Sequence, residues 1–266
     1  MLYPAELRGR KPVLYSICAT IPSVDAIIQE ILSLIRAGKT ITADKLNSII
    51  RAHNKGNKDI STHYSKKHLL PYYLHEKEAN SKVYKNLKIT EDEESALVTL
   101  LRVKPTRSAS GVATITVITK PWKCGGNCLF CPNDIRMPKS YLSNEPACQR
   151  AERNFFDPYL QVQARLKALH EMGHNTDKVE LIVLGGTWND YTHDYQRWFV
   201  KELFRALNNG VNATDVSERE TKYKEIGITN NLNDLEARTH DLQSSINKQE
   251  ISYNAAFDKY YDSNSP

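Results

Sequence analysis

Residues 112–134 read VATITVITKPWKCGGNCLFCPND, and residues 178–186 read KVELIVLGG. Residues 112–119 are rich in β-branched residues and read as a buried strand, and residues 178–186 read as an almost wholly apolar strand ending in two glycines. Between them the spacing predicts a helix from about Asp157 to Met172, ended by Gly173, and residues 193–208 (HDYQRWFVKELFRALN) predict another. Strand, helix, strand, helix implies parallel βα units and an α/β class. Both predicted strands end in chemistry. The first runs into Cys124, Cys128 and Cys131, the second into Gly185, Gly186 and Thr187, at the carboxyl ends where βα-barrels place their sites.

Toward the N-terminus the period becomes helical. Residues 23–37 carry apolar side chains at 27, 28, 31, 34 and 35, with Ser23 expected as N-cap and Gly38 as C-cap. Thr42 is placed to cap ADKLNSIIRA, and Thr90 with Glu93 forms a capping box before a helix that closes near Arg102. Residues 51–88 between these are basic. Lys55, Lys58, Lys66 and Lys67, with tyrosines at 64, 72, 73 and 84, suit phosphate contacts with aromatic platforms for bases; a solvated loop and helix face is the alternative. The histidines at 53, 63, 68 and 75 have no ligand spacing. Beyond 208 the pattern fades, and 210–266 reads as a polar tail, partly helical or disordered. Residues 1–101 are expected as a helical, basic region, 102–209 as a partial α/β domain and 210–266 as the tail.

The charge agrees with that division. The chain of 266 residues has a net charge of +5, but ten Asp and Glu against six Lys and Arg fall in 210–266, leaving about +9 on residues 1–209. A basic body is compatible with a polyanion such as RNA. No run of about 18 apolar residues occurs and the N-terminus carries no apolar secretory stretch, so a cytoplasmic protein without membrane partners is expected. Its five cysteines are an odd number, and three of them fall within eight residues, which favours metal chemistry over disulfides.

Three thiolates on one short loop, with Gly125 and Gly126 letting the backbone curl, can bind three irons of a cubane cluster. A zinc site is the alternative; it needs a fourth ligand, and Cys148 is the one further thiol near in sequence. The CxxxCxxC spacing with Phe130 before the last cysteine resembles the radical S-adenosylmethionine (SAM) superfamily. That resemblance implies a 4Fe-4S cluster on Cys124, Cys128 and Cys131 whose open iron chelates SAM, and reductive cleavage of SAM to a 5′-deoxyadenosyl radical. It places Phe130, Gly185, Gly186 and Thr187 against SAM, the glycines by close backbone approach.

Longer stretches narrow the resemblance. KPTRSASGVATITVITKP, SYLSNEPACQRA, FDPYLQVQARLKAL and GHNTDKVELIVLGGTW, within residues 102–208, resemble the Elongator catalytic subunit family and its single-chain bacterial and archaeal relatives, the tRNA carboxymethyluridine synthases. The resemblance implies an enzyme that uses SAM, the cluster and acetyl-CoA to carboxymethylate the wobble uridine of tRNA, through a radical SAM barrel and an acetyltransferase domain. Lys178 matches a lysine associated with acetyl-CoA in that family; a surface lysine at a strand start is the alternative. Cys148 is expected to be a plain side chain. Two βα units cannot close a barrel. The expected fold is therefore a helical region followed by the first βα units of a partial TIM-type barrel, truncated, with a complementing polypeptide supplying the remaining barrel and the acetyltransferase domain. The competing expectation is a catalytically inactive tRNA-binding module.

Overall fold

A computed structural model describes residues 22–55, 58–59, 62–126 and 128–263; Cys18 lies outside them. The described residues form two compact units, one within residues 22–107 together with Glu171–His174, the other from Ser108–His170 together with residues 175–263.

The first unit is helical: α1 (Pro22–Arg36), α2 (Ala43–Asn54), α3 (Lys66–Glu78), α4 (Lys82–Leu87) and α5 (Glu91–Leu101). Its core is one aliphatic cluster in which Ile27 and Ile31 of α1 meet Leu46 and Ile49 of α2, Leu69 and Leu70 of α3, and Leu97 and Leu101 of α5. α1 buries Val24, Ile27, Ile28, Ile31 and Leu32, whereas Leu34 and Ile35 are only half-buried. The expected stripe is thus shifted by part of a turn, because α2, α3 and α5 all pack on α1 and widen its buried face. The helix starts at Pro22, a residue suited to a first turn, so Ser23 lies inside it and does not precede it as a cap. Gly38 does end it, with φ +65°, while Lys39 N–H donates to Leu34 O at 3.0 Å and Gly38 N–H to Ile35 O at 2.9 Å. Thr42 Oγ1 accepts from Lys45 N–H at 3.2 Å, and Thr90 with Glu93 forms the capping box. Glu93 also holds Arg36, with Nε to Oε1 and Nη2 to Oε2 both 3.0 Å.

The second unit contains β1 (Ala113–Ile118), α6 (Pro146–Arg153), α7 (Pro158–Glu171), β2 (Val179–Leu184) and α8 (His193–Asn209). The strands pair in parallel, from Ala113 opposite Val179 to Ile118 opposite Leu184. α7 begins where Asp157 Oδ1 accepts from Leu160 N–H at 3.0 Å, and Thr192 caps α8 in the same way through Tyr195 N–H at 3.4 Å. The chain is thus α/β, with a helical N-terminal region and a parallel βαβ unit; among the described residues the sheet has two strands.

The two strands differ in cover. Ile115, Val117 and Ile118 of β1 are fully buried. The main chain of Ile118 faces away from β2, where the Gln161 amide of α7 takes both its groups, accepting from N–H and donating to O at 2.9 Å each. β2, almost wholly apolar in sequence, is less covered: Ile182 and Val183 are 39% and 45% exposed, and among the described residues β1 is its one neighbouring strand.

Residues beyond 210, expected as a polar tail that was partly helical or disordered, carry three helices: α9 (Val216–Glu225), α10 (Leu232–Asn247) and α11 (Tyr253–Ser263). α9 buries no residue fully and docks through charge. Its Arg219 pairs with Glu202 of α8 and with Asp157 (3.5 Å) before α7, and stacks over the Tyr159 ring at 4.1 Å; Tyr223 stacks on Phe155 at 4.9 Å. α10 and α11 contribute Ile246, Tyr253, Ala256 and Phe257 to a small cluster around Ile135 and Trp122. α10 also packs on α6 and on α11, so these helices are held by a few apolar residues beside the cysteine loop together with those helix contacts.

Candidate functional site

The cysteine loop leaves the carboxyl end of β1 and is fixed by side chains from four directions. Asp190, just beyond β2, accepts from Gly125 N–H at 2.9 Å, and its own carbonyl accepts from Trp122 Nε1 at 2.8 Å. Lys139, buried, donates to Gly126 O at 3.1 Å. Asn254 of α11 accepts from Cys124 N–H at 3.1 Å and donates to Cys124 O at 2.9 Å. Trp122 is packed between Tyr191 and Phe257, with ring centroids 6.2 and 5.8 Å away. Lys120 lies 4.3 Å from the Trp122 ring and 4.9 Å from that of Tyr195, and burial lowers its pKa. The base of the loop is therefore rigid, while its tip, Leu129 and Phe130, stands almost fully in solvent.

The thiols line this loop. Cβ positions built on Gly126 lie 3.6 Å from Cys124 Sγ and 3.7 Å from Cys128 Sγ, so that glycine sits between two of the sulfurs. Cys124 Sγ is 3.6 Å from Thr187 Oγ1, which joins the cysteine loop to the end of β2. Cys131 Sγ is 3.0 Å from Ser140 Oγ, a residue held at φ +87°. Hydroxyls beside two of the sulfurs are groups that stabilise thiolate charge.

The two glycines after β2 have different reasons. A Cβ on Gly185 would lie 1.9 Å from Thr119 Oγ1, itself buried and hydrogen-bonded to Tyr191 Oη at 2.7 Å, so the fold requires glycine there whatever binds nearby. A Cβ on Gly186 would meet its nearest neighbours, Lys139 N and Tyr191 Oη, at an ordinary 3.8 Å. Gly186, not Gly185, is the position whose bareness packing leaves unexplained.

The remaining predicted residues are dispersed. Phe130, at the loop tip, is 95% exposed. Lys178 is exposed and precedes β2, so a six-residue strand, roughly 20 Å, separates it from Gly185 and the cysteines. In the first unit Lys55, Lys58 and Lys67 are exposed, and Lys66 is half-buried with its pKa lowered by burial. Of the tyrosines read as base platforms, Tyr72 and Tyr73 are core residues: Tyr72 donates to Asp25 at 2.6 Å and Tyr73 packs against Tyr84 at 6.1 Å. Cys148 is buried with Ile118, Met137 and Ala151, and burial pushes its thiol up to about 12. It is a plain core side chain.

Among the described residues no three His, Cys, Asp or Glu side chains converge closely enough to hold a single ion. A closed zinc tetrahedron has no such donor set here. Cys124, Cys128 and Cys131 lie on one glycine-containing loop and are the thiolate donor type that an iron-sulfur cluster takes. Asp190, Ser140, Lys139 and Asn254 went unread in the sequence; each acts through the main chain or a sulfur of a distant segment, which no local pattern marks.

Among the described residues no helix is long and apolar enough to cross a membrane. No family model matches the chain. It is 37% identical over 202 residues to tRNA uridine(34) acetyltransferase of Methanocaldococcus jannaschii, a match covering 72% of this chain and 34% of that protein. The protein of the same name from Dehalococcoides mccartyi is 43% identical over 118 residues (44% of this chain, 26% of the relative). Elongator complex protein 3 of Homo sapiens is 39% identical over 149 residues (50% of this chain, 27% of the relative). The chain therefore spans about a third or less of the length of these curated relatives. On these likenesses, carried by bacterial, archaeal and animal proteins alike, the chain belongs to the Elongator catalytic subunit family.

Proposed function

We propose that the chain takes part in carboxymethyl modification of the wobble uridine of tRNA, as the N-terminal and first barrel portion of a radical SAM enzyme. The observation that carries this reading is the meeting of the cysteine loop with the end of β2, Cys124 Sγ to Thr187 Oγ1, at the carboxyl ends of paired parallel strands. When bound, a 4Fe-4S cluster supplies the electron that breaks the sulfonium bond of SAM. Cys124, Cys128 and Cys131 hold it. Ser140 and Thr187 donate to two of the thiolates, the bare backbone of Gly186 and the Thr187 hydroxyl receive the amino end of SAM, and Phe130 closes over it from the loop tip. Lys55, Lys58, Lys66 and Lys67 engage tRNA phosphates, and acetyl-CoA, the carboxymethyl source, is met by Lys178. The location is cytoplasmic. A complementing polypeptide adds a strand to β2, whose exposed Ile182 and Val183 supply the apolar contact, and brings the acetyltransferase domain.

Anaerobic reconstitution with iron, sulfide and SAM tests the reading. It predicts release of 5′-deoxyadenosine by the reconstituted chain, abolished in Cys124→Ala, Cys128→Ala and Cys131→Ala; a folded, cluster-loaded chain that leaves SAM intact contradicts it.

The open β2 favours a second reading, a tRNA-binding module without turnover. In that case the triple cysteine-to-alanine variant retains full tRNA affinity while the parent cleaves no SAM. Loss of tRNA binding on neutralising Lys55, Lys58, Lys66 and Lys67, with a shallower salt dependence, is expected on both readings.

A further inference from the structure

The loop that bears the thiols is held from the far end of the chain by two side-chain amides. Asn254 closes on both main-chain groups of Cys124, with N–H to Oδ1 3.1 Å and Nδ2 to O 2.9 Å, across 130 residues of sequence. Gln243 of α10 does the same on the other flank, accepting from Ile135 N–H at 2.9 Å and donating to Asn133 O at 3.1 Å. Tyr253 adds a hydrogen bond to Met137 O at 2.7 Å, and Lys123 pairs with Asp258. The apolar contacts are on the same helices: Ile246, Tyr253, Ala256 and Phe257 pack on Ile135 and Trp122. Both ends of the loop, residues 122–124 and 133–137, are thus clasped by α10 and α11, and the segment between them carries the exposed tip.

We infer that Asn254 is a positioning residue for Cys124, and that α10 and α11 serve as a clasp setting the cysteine loop in its ligating arrangement. An amide that satisfies the N–H and the C=O of one residue at once holds both peptide planes that meet at its Cα, and so fixes the direction in which its side chain leaves the backbone. Cys124 is the residue for which this matters, because its Sγ already lies 3.6 Å from Thr187 Oγ1 at the end of β2. Turning its peptide would swing the sulfur away. The same bracket recurs at Gln161 on Ile118 and at Asn54 on Tyr64, where Nδ2 to O and N to Oδ1 are both 2.8 Å; there it holds non-reactive main chain. The inference rests on the cluster reading only for what the positioned thiol binds; the clasp itself is a property of the metal-free chain.

The test separates the two. In the metal-free full chain, hydrogen exchange at the Cys124 amide is measured for the parent, Asn254→Ala and Asn254→Asp, with the far-UV spectrum and melting curve recorded beside it. Asn254→Ala should exchange at Cys124 on the order of ten-fold faster with little change in melting, and Asn254→Asp, which keeps the acceptor, should lie between. Residue-resolved alkylation should quicken at Cys124 and stay unchanged at Cys148. Unchanged exchange and alkylation at Cys124 in Asn254→Ala overturn the clasp. On reconstitution with iron and sulfide, Asn254→Ala should take up less cluster and lose it faster; equal uptake and retention also overturn the positioning role. If the parent itself takes up no cluster, the cluster reading fails, while the exchange result still decides whether Asn254 holds Cys124. Should Asn254→Ala not fold, Asn254→Asp and Gln243→Ala carry the same comparison.

Discussion

β1 and β2 are six residues each, similar in composition and bonded residue by residue, yet one is sealed and the other open. β1 has α7 against it, with Gln161 occupying the main chain of Ile118, and its apolar side chains Ala113, Ile115, Val117 and Ile118 are buried while Thr114 faces solvent. β2 keeps Ile182 and Val183 substantially exposed. An apolar run records what a strand is made to bury, and the cover over it comes from other elements. The cysteine loop and the Gly185–Thr187 segment meet where the two strands end together.

The sharpest way to break that contrast is truncation. Ile115→Ala in β1 should cost about 2–5 kcal/mol in chemical denaturation, and Ile182→Ala in β2 less than about 1 kcal/mol. Similar costs would show that β2 is covered in solution. At the strand end, Gly185→Ala should destabilise by about 1–3 kcal/mol through its overlap with Thr119, with part of the loss recovered on adding Thr119→Ala. Gly186→Ala should stay within about 0.5 kcal/mol of the parent while weakening SAM binding by equilibrium dialysis. Gln161→Leu should cost about 1–3 kcal/mol by leaving buried main chain of Ile118 without a partner.

A smaller effect is expected with pH. Burial raises the Cys148 thiol to about 12 from an ordinary value of 9.0, so the folded state holds that proton more tightly than the unfolded state. Its contribution is complete below about pH 9 and is lost as pH rises toward 12, visible as a falling melting temperature that Cys148→Ala flattens. Near pH 8, Cys148 should resist alkylation until the chain unfolds, whereas the exposed Cys128 reacts in the native state.

The parts legible in sequence are those set by local rules. Gly38, Thr42 and the Thr90–Glu93 box act within a few residues of themselves, and the β-branched run at 113–118 marks a strand wherever it is placed. What was not legible is long-range and polar. α9 is anchored by Arg219 among Glu202, Asp157 and the Tyr159 ring, which leaves no apolar stripe to read, and Tyr72 and Tyr73, spaced like base platforms, belong to the helical core. At the site, the cysteine spacing and the end of β2 were visible, whereas Asp190, Lys139 and Asn254 serve main-chain groups 65, 13 and 130 residues away.

The central claim is that this open-ended strand pair presents a cluster loop. It is tested most directly by iron and sulfide analysis with electron paramagnetic resonance of the anaerobically reconstituted, reduced chain, with and without SAM. The prediction is close to four irons and four sulfides per chain and a reduced-cluster signal that shifts when SAM is added, both lost in the triple cysteine-to-alanine variant. A folded parent chain that retains no more iron than that variant contradicts it.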